Sequence, residues 1–313
     1  MFSLRDFQSE KNTAVLKIRA KVLDAARFWL NQHNYTEVHG PTIIPAVGDR
    51  PGSFEVKYFD KKAYLTQGLQ PYGRAFVAIL GKVYTIAPTF RVEKAKTTRH
   101  LTEYWRIEVA QQCELDAVIG VQQELVAYIC QRLSEESRET LRYFKRSTMD
   151  LSTMRIPFPK LTYDEAIDML QRDGFNIFWG QKIDFESENH ISLRFHQPFF
   201  IVKFPIGAET FFHKPDPEKP ELTLSADLLA PEGYGEIGSG AQMIDEKEVL
   251  LEKMAEEKIE PGDQQWYMDL MKYGFGPHSG FAVGIERLIQ WICKLKHIKE
   301  ASAFPRLSDN VYP

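Results

Sequence analysis

Two arginine-bearing segments, far apart in the chain, constrain its fold more than any other feature. The first runs Phe90-Arg91-Val92-Glu93 and continues, after a short basic loop, as Arg99-His100-Leu101-Thr102-Glu103-Tyr104. The second, Gly280-Phe281-Ala282-Val283-Gly284-Ile285-Glu286-Arg287, has the small residues of a tight strand-to-helix junction. Taken singly, each arginine has an ordinary explanation as a solvated ion-pair partner, and Tyr104 as a core residue at a strand start. It is their joint occurrence, in this order and separation, that calls for one explanation.

The rest of the chain bounds that explanation. At 313 residues it can bury a substantial core. Apolar and charged fractions of 43% and 26% are those of an ordinary globular protein, and no apolar run approaches a membrane span. Met1-Phe2-Ser3-Leu4-Arg5-Asp6 lacks the order of a signal peptide, so a cytoplasmic protein is expected. Cys113, Cys130 and Cys293 are far apart without C-x-x-C spacing, which argues against structural zinc and a disulfide framework. A net charge of −4 gives no whole-molecule attraction to polyanions.

Helical spacing of Val15, Ile18, Val22, Leu23, Ala26 and Leu30 predicts a helix over 14–32, followed by a strand at Thr36-Glu37-Val38. Further helices are predicted over 115–144 and, behind the capping box Thr162-Tyr163-Asp164-Glu165, through Leu170 to a stop at Gly174. Strands are expected at 54–59, 63–66 and 199–202. The turn-rich Val47-Gly48-Asp49-Arg50-Pro51-Gly52 reads as a mobile loop. Without repeats or linkers, the pattern predicts one α+β domain over 1–313, an antiparallel sheet flanked by helices.

These segments resemble motifs 2 and 3 of the class II aminoacyl-tRNA synthetases, and the helix–strand–proline run ending at Pro41 resembles motif 1, which implies a homodimer. The resemblance implies an enzyme that activates a carboxylic acid as its adenylate with ATP and Mg²⁺. Arginine suits such a site, because its planar fork binds phosphate bidentately and never loses its charge. By resemblance Arg91 contacts the α-phosphate and Arg287 the γ-phosphate. Arg99 and His100 hold the bent triphosphate, Tyr104 stacks on adenine, Glu93 accepts from its amino group, and Gly284 belongs to the same nucleotide site. Asp227 and Glu236 match the acids that hold the metal. His278, at the entrance to motif 3, either positions the acyl group or serves as a base for the incoming amine, and a loop-ordering hydrogen bond competes with both.

The match is closest to the asparaginyl branch of the aspartate, asparagine and lysine group. Gln67, Gln70 and Glu108 are retained, the last two holding the α-amino group by resemblance. The pocket also departs from the pattern. Arg74 stands where the family reads the side chain with Glu or Lys, and Met243 replaces an arginine. The mobile loop's acid is replaced by Gly48, with Asp49 able to stand in. Arg74 as a clamp from the opposite wall favours an acidic amino acid. A rival reading has Met243 opening an apolar pocket. The resemblance starts near the chain's first residues, so no anticodon-reading domain ahead of the catalytic core is expected. The favoured function is therefore an amide-forming ligase using ammonia or a small amine, like the asparagine-synthetase relatives, with tRNA a less favoured acceptor. The alternatives are a truncated asparaginyl-tRNA synthetase and a non-catalytic nucleotide or amino-acid sensor.

Overall fold

The structure is a computed structural model that describes residues 7–45, 52–70, 72–93, 97–259, 265–272 and 276–312. The chain opens with α1 (Glu10–Gln32), capped by the Ser9 side chain, then β1 (Thr36–Glu37) and β2 (Ile43–Ile44). Next come β3 (Glu55–Tyr58), β4 (Lys61–Leu65), α2 (Tyr72–Leu80), β5 (Lys82–Phe90) and β6 (Glu103–Gln111). The helices α3 (Leu115–Glu136), α4 (Arg138–Tyr143) and α5 (Thr148–Ser152) lead to β7 (Lys160–Thr162), α6 (Tyr163–Arg172), α7 (Phe185–Ser192) and β8 (Phe199–Val202). The remainder is β9 (Ser225–Ala230), β10 (Gly235–Met243), α8 (Lys247–Glu256), α9 (Gln265–Met271), β11 (His278–Gly284) and α10 (Ile285–Ile292).

Eight strands form one sheet in the order β1-β5-β6-β11-β10-β9-β8-β7, antiparallel except where β1 joins β5 and β7 joins β8. The expected antiparallel sheet flanked by helices is therefore present. A small sheet, β2-β4-β3, stands apart. Alternation divides the large sheet into two chemistries. Ile107 and Val109 of β6 with Phe281 and Val283 of β11 face α1, α3 and α10 and bury against Ile18, Val22, Leu125 and Ile289. The intervening Arg106, Glu108 and Ala110 of β6 meet Gly284, Ala282 and Gly280 of β11 on the other face. Across the second junction Ala282 pairs with Ser239, and Ser239 with Asp227.

The capping box at Thr162 and Glu165 forms in full, and α6 ends before Gly174, whose φ of 89° only a glycine adopts readily. The helix expected over 115–144 is instead two, broken at Ser137, whose φ −126°, ψ 26° lies outside the helical well. Val47–Pro51, with Gly48 and Asp49, falls outside the described residues. Cys130 and Cys293 are buried thiols and Cys113 is half-buried, none in a disulfide. Among the described residues no helix is long and apolar enough to cross a membrane.

Candidate active site

On the polar face of the sheet lies a cavity of about 590 Å³. It gathers Arg91, Glu93, Arg99, His100, Tyr104, Asp227, Glu236, Gly284 and Arg287, together with Gln67, Gln70, Glu108 and Met243. Residues separated by almost 200 positions thus meet because β6, β11, β10 and β9 are neighbours. Arg287 is placed by the first turn of α10, whose start is pinned by Glu286. That buried carboxylate pairs with Arg19 at 2.6 Å and accepts from the Trp105 backbone N–H at 2.9 Å.

The cationic and anionic groups are interlocked. Arg287 lies 2.8 Å from the Glu236 carboxylate and donates to its backbone carbonyl at 3.3 Å. Arg99, 5% exposed, is paired with Glu188, stacks over Phe185 and stands 3.8 Å from Glu236. Burial works to raise the Glu236 carboxyl, but Arg287 and Arg99 outweigh it and hold it at about 2. Asp227 goes the opposite way: burial, and then the charges of Glu236, Glu209 and Glu188, push it well above the usual carboxylate range. A buried carboxyl crowded by acids is the donor set a hard divalent cation relieves. Two carboxylates suit Mg²⁺, which takes few protein ligands and fills the rest of its shell with phosphate and water. Among the described residues no cluster of three or more metal-type side chains forms.

On the same wall Glu108 is held by Arg106 at 3.1 Å and by the Leu69 backbone N–H at 3.0 Å. This contact requires Gly68. Its φ is 140°, and a Cβ there would lie 2.8 Å from the Glu108 carboxylate. Arg106 also donates to the Gln67 carbonyl at 3.3 Å. Sequence reasoning passed over Arg106, although alternation between Tyr104 and Glu108 places it on this face. It also passed over Glu188, Glu209 and Lys182, whose places on the wall are set by tertiary packing.

Arg74 and His278 are absent from the wall. Arg74, 2% exposed, donates to the Ile244 carbonyl at 3.0 Å with its guanidinium 5.5 Å from the centre of the Tyr267 ring, so it is no clamp facing the cavity directly. Met243 does line the cavity and packs with Phe212, Met254 and Tyr267. His278, 2% exposed, stands opposite Met243 in register.

Two histidines are held neutral. Burial, then Arg287, lowers His100 to about 4; burial, then Arg74, lowers His278 to about 3. Unfolded, both titrate near 6.5, so the unfolded chain binds more protons between that pH and the folded values. Their contribution to stability is complete above about pH 6.5 and is lost as pH falls toward about 4 and 3. Urea melts against pH are expected to show a shallower acid slope for His278→Gln than for the parent; equal slopes would remove His278 from this account.

The comparisons fit this geometry. A family model for class II tRNA synthetases (D, K and N) matches residues 2–308. The chain is a class II tRNA synthetase of the D, K and N group. It is 42% identical over 308 residues to the asparagine–tRNA ligase of Thermococcus gammatolerans, covering 98% of this chain and 72% of that one. The asparagine–tRNA ligase of Desulforamulus reducens is 41% identical with the same coverage. The crystal structure of Pyrococcus horikoshii asparaginyl-tRNA synthetase complexed with asparaginyl-adenylate superposes with a TM-score of 0.95 at 40% identity, covering 98% of this chain and 71% of that one. This synthetase is an ATP-dependent, AMP-forming ligase.

Proposed function

We propose that this synthetase activates an amino acid as its aminoacyl-adenylate and transfers the aminoacyl group to tRNA. The observation that carries the reading is the convergence of Arg91, Arg99, Arg287, Asp227 and Glu236 on one cavity that Gln70 and Glu108 also line. The substrate carboxylate attacks the α-phosphorus, the bond to the bridging oxygen breaks, and pyrophosphate leaves. Arg91 holds the α-phosphate and Arg287 the γ-phosphate, with Arg99 and His100 along the chain between them. Asp227 and Glu236 would hold Mg²⁺, which when bound offsets phosphate charge. Glu108, fixed by Arg106 and Leu69, takes the α-ammonium with Gln70. The work is positioning and charge neutralisation in a pre-formed site.

Relatives named as asparagine–tRNA ligases move tRNA ahead of the ammonia or amine acceptor favoured from the sequence, and make asparagine the first donor to test. One observation keeps an amide-forming ligase on an acidic amino acid as the second reading. By resemblance Met243, on the cavity wall, and Arg74, buried and bonded to the carbonyl of the next residue, Ile244, stand where the family reads the side chain. The test is ATP–pyrophosphate exchange across an amino-acid panel, followed by transfer of labelled amino acid to tRNA or to ammonia. Exchange with one amino acid and label on tRNA is the expected result. Exchange with label passing only to ammonia would replace the tRNA reading with amide formation.

A further inference from the structure

Arg99 is fastened before any ligand enters. Its Nη1 pairs with Glu188, its guanidinium carbon lies 4.9 Å from the centre of the Phe185 ring, and its Nη2 stands 3.8 Å from Glu236. Phe185 and Glu188 are about one turn apart on α7, so a single face of that helix supplies both contacts. Glu188 also accepts the backbone N–H of Glu236 at 3.0 Å. Gly235 makes this approach possible. With φ at 69°, it would carry a Cβ 2.5 Å from Nη1 of Arg99 and 3.0 Å from the Glu188 carboxylate. One carboxylate, 7% exposed, thus ties Arg99 to the start of β10.

The distances around Glu236 show what the tie does. Arg287 and Arg99 both approach its Oε2, at 2.8 Å and 3.8 Å. Among the described residues its Oε1 enters no ion pair. Only Arg287 is therefore within hydrogen-bond reach of this carboxylate. Arg99 has two acids within range, and it sits on Glu188 rather than on Glu236. A carboxylate gripped by two guanidinium groups would be a poor metal ligand, because an incoming cation must displace one of them or bear their repulsion.

We propose that Glu188 is a positioning residue for the metal site: by holding Arg99 it keeps that guanidinium off Glu236, and it leaves Oε1 of Glu236 to join Asp227 around a divalent cation. Glu188 touches neither the cation nor the nucleotide and acts through Arg99. This role rests on the adenylation reading of the same cavity, in which Asp227 and Glu236 hold Mg²⁺.

The test measures metal affinity directly. Mn²⁺ is titrated into the whole chain by electron paramagnetic resonance, with an ATP analogue whose α- and β-phosphorus are joined by methylene. Mg²⁺ titrations of pyrophosphate exchange run beside it. Glu188→Gln keeps the shape and the acceptor for the Glu236 N–H but removes the charge that holds Arg99. It is expected to weaken Mn²⁺ binding by at least about 10-fold, the scale lost when a group that orients a metal ligand is removed. The Mg²⁺ requirement of exchange should rise to match, while KM for the amino acid stays near the parent value. Glu188→Asp keeps the charge on a shorter arm and should recover part of the affinity. In an Arg99→Gln background, Glu188→Gln should change Mn²⁺ affinity no further, since the group to be held off is gone. That neutral pair keeps the test open if Glu188→Gln alone does not fold. Parent-like Mn²⁺ affinity in Glu188→Gln overturns the role, and so does an equal loss of amino-acid affinity or a further loss in the Arg99→Gln background. Absence of Mn²⁺ binding by the parent overturns it too. The expected Mn²⁺ pattern without any exchange supports the role of Glu188 and counts against adenylation.

Discussion

Arg287→Ala is expected to lower amino-acid-dependent ATP–pyrophosphate exchange by at least about 10³-fold, the scale lost when an arginine that neutralises phosphate charge is removed. The side chain is not a pillar of the core. The buried face of α10 is made by Ile285, Leu288, Ile289 and Ile292, while Arg287 projects into the cavity against Glu236. Circular dichroism melts should therefore stay close to the parent. The loss would have two parts: the positive charge leaves, and the Glu236 carboxyl, freed from the cation that most depresses it, moves up toward the usual range. Arg287→Lys restores the charge without the planar fork and should recover only part of the rate. Arg91→Ala should behave in the same way, since Arg91 lines the same cavity. Parent-like exchange in either alanine variant would sink the phosphate assignment, and a melted Arg287→Ala would make that residue a structural ion-pair partner.

Local chemistry in the sequence foretold the elements it controls. The capping box, the apolar stripe of α1 and the strand at Phe199 are all written within a few residues, and all form where expected. The paired motifs around Arg91 and Arg287 could be read because each spans a strand end and its following turn. What could not be read depends on which elements pack together. Glu188 has no signature of its own on α7; it matters because α7 packs beside β10 and Arg99 reaches it. Arg74 looked like a wall residue because its neighbours Gln67 and Gln70 are on the wall, yet the turn into α2 carries it behind Met243. The break at Ser137 lies within an apolar pattern that continues across it, so periodicity alone ran through the junction.

Gly238→Ala tests the frame on which the site hangs, and it is expected to cost about 3 kcal/mol or more, read as a fall in Tm of roughly 5–10 °C. Gly238 lies just after an irregularity in the β9–β10 register and faces Val283 of β11. A Cβ there would sit 2.5 Å from the Ala282 carbonyl oxygen and 2.9 Å from Nε2 of Gln122, which α3 presses onto the sheet with no exposure. The first obstacle is backbone, which cannot rotate away, so β10 and β11 must separate. That separation displaces the rung of Asp227, Ser239, Ala282 and Glu108, and it moves Glu236 relative to Arg287. Exchange activity should therefore fall with stability, in contrast to Arg287→Ala, where activity falls alone. Gly120 supplies the control. It lies within α3 with nothing inside 4 Å of a Cβ, so Gly120→Ala should raise stability by up to about 1 kcal/mol. A Gly238→Ala protein as stable and active as the parent would show that the strands can part at that rung without disturbing the site.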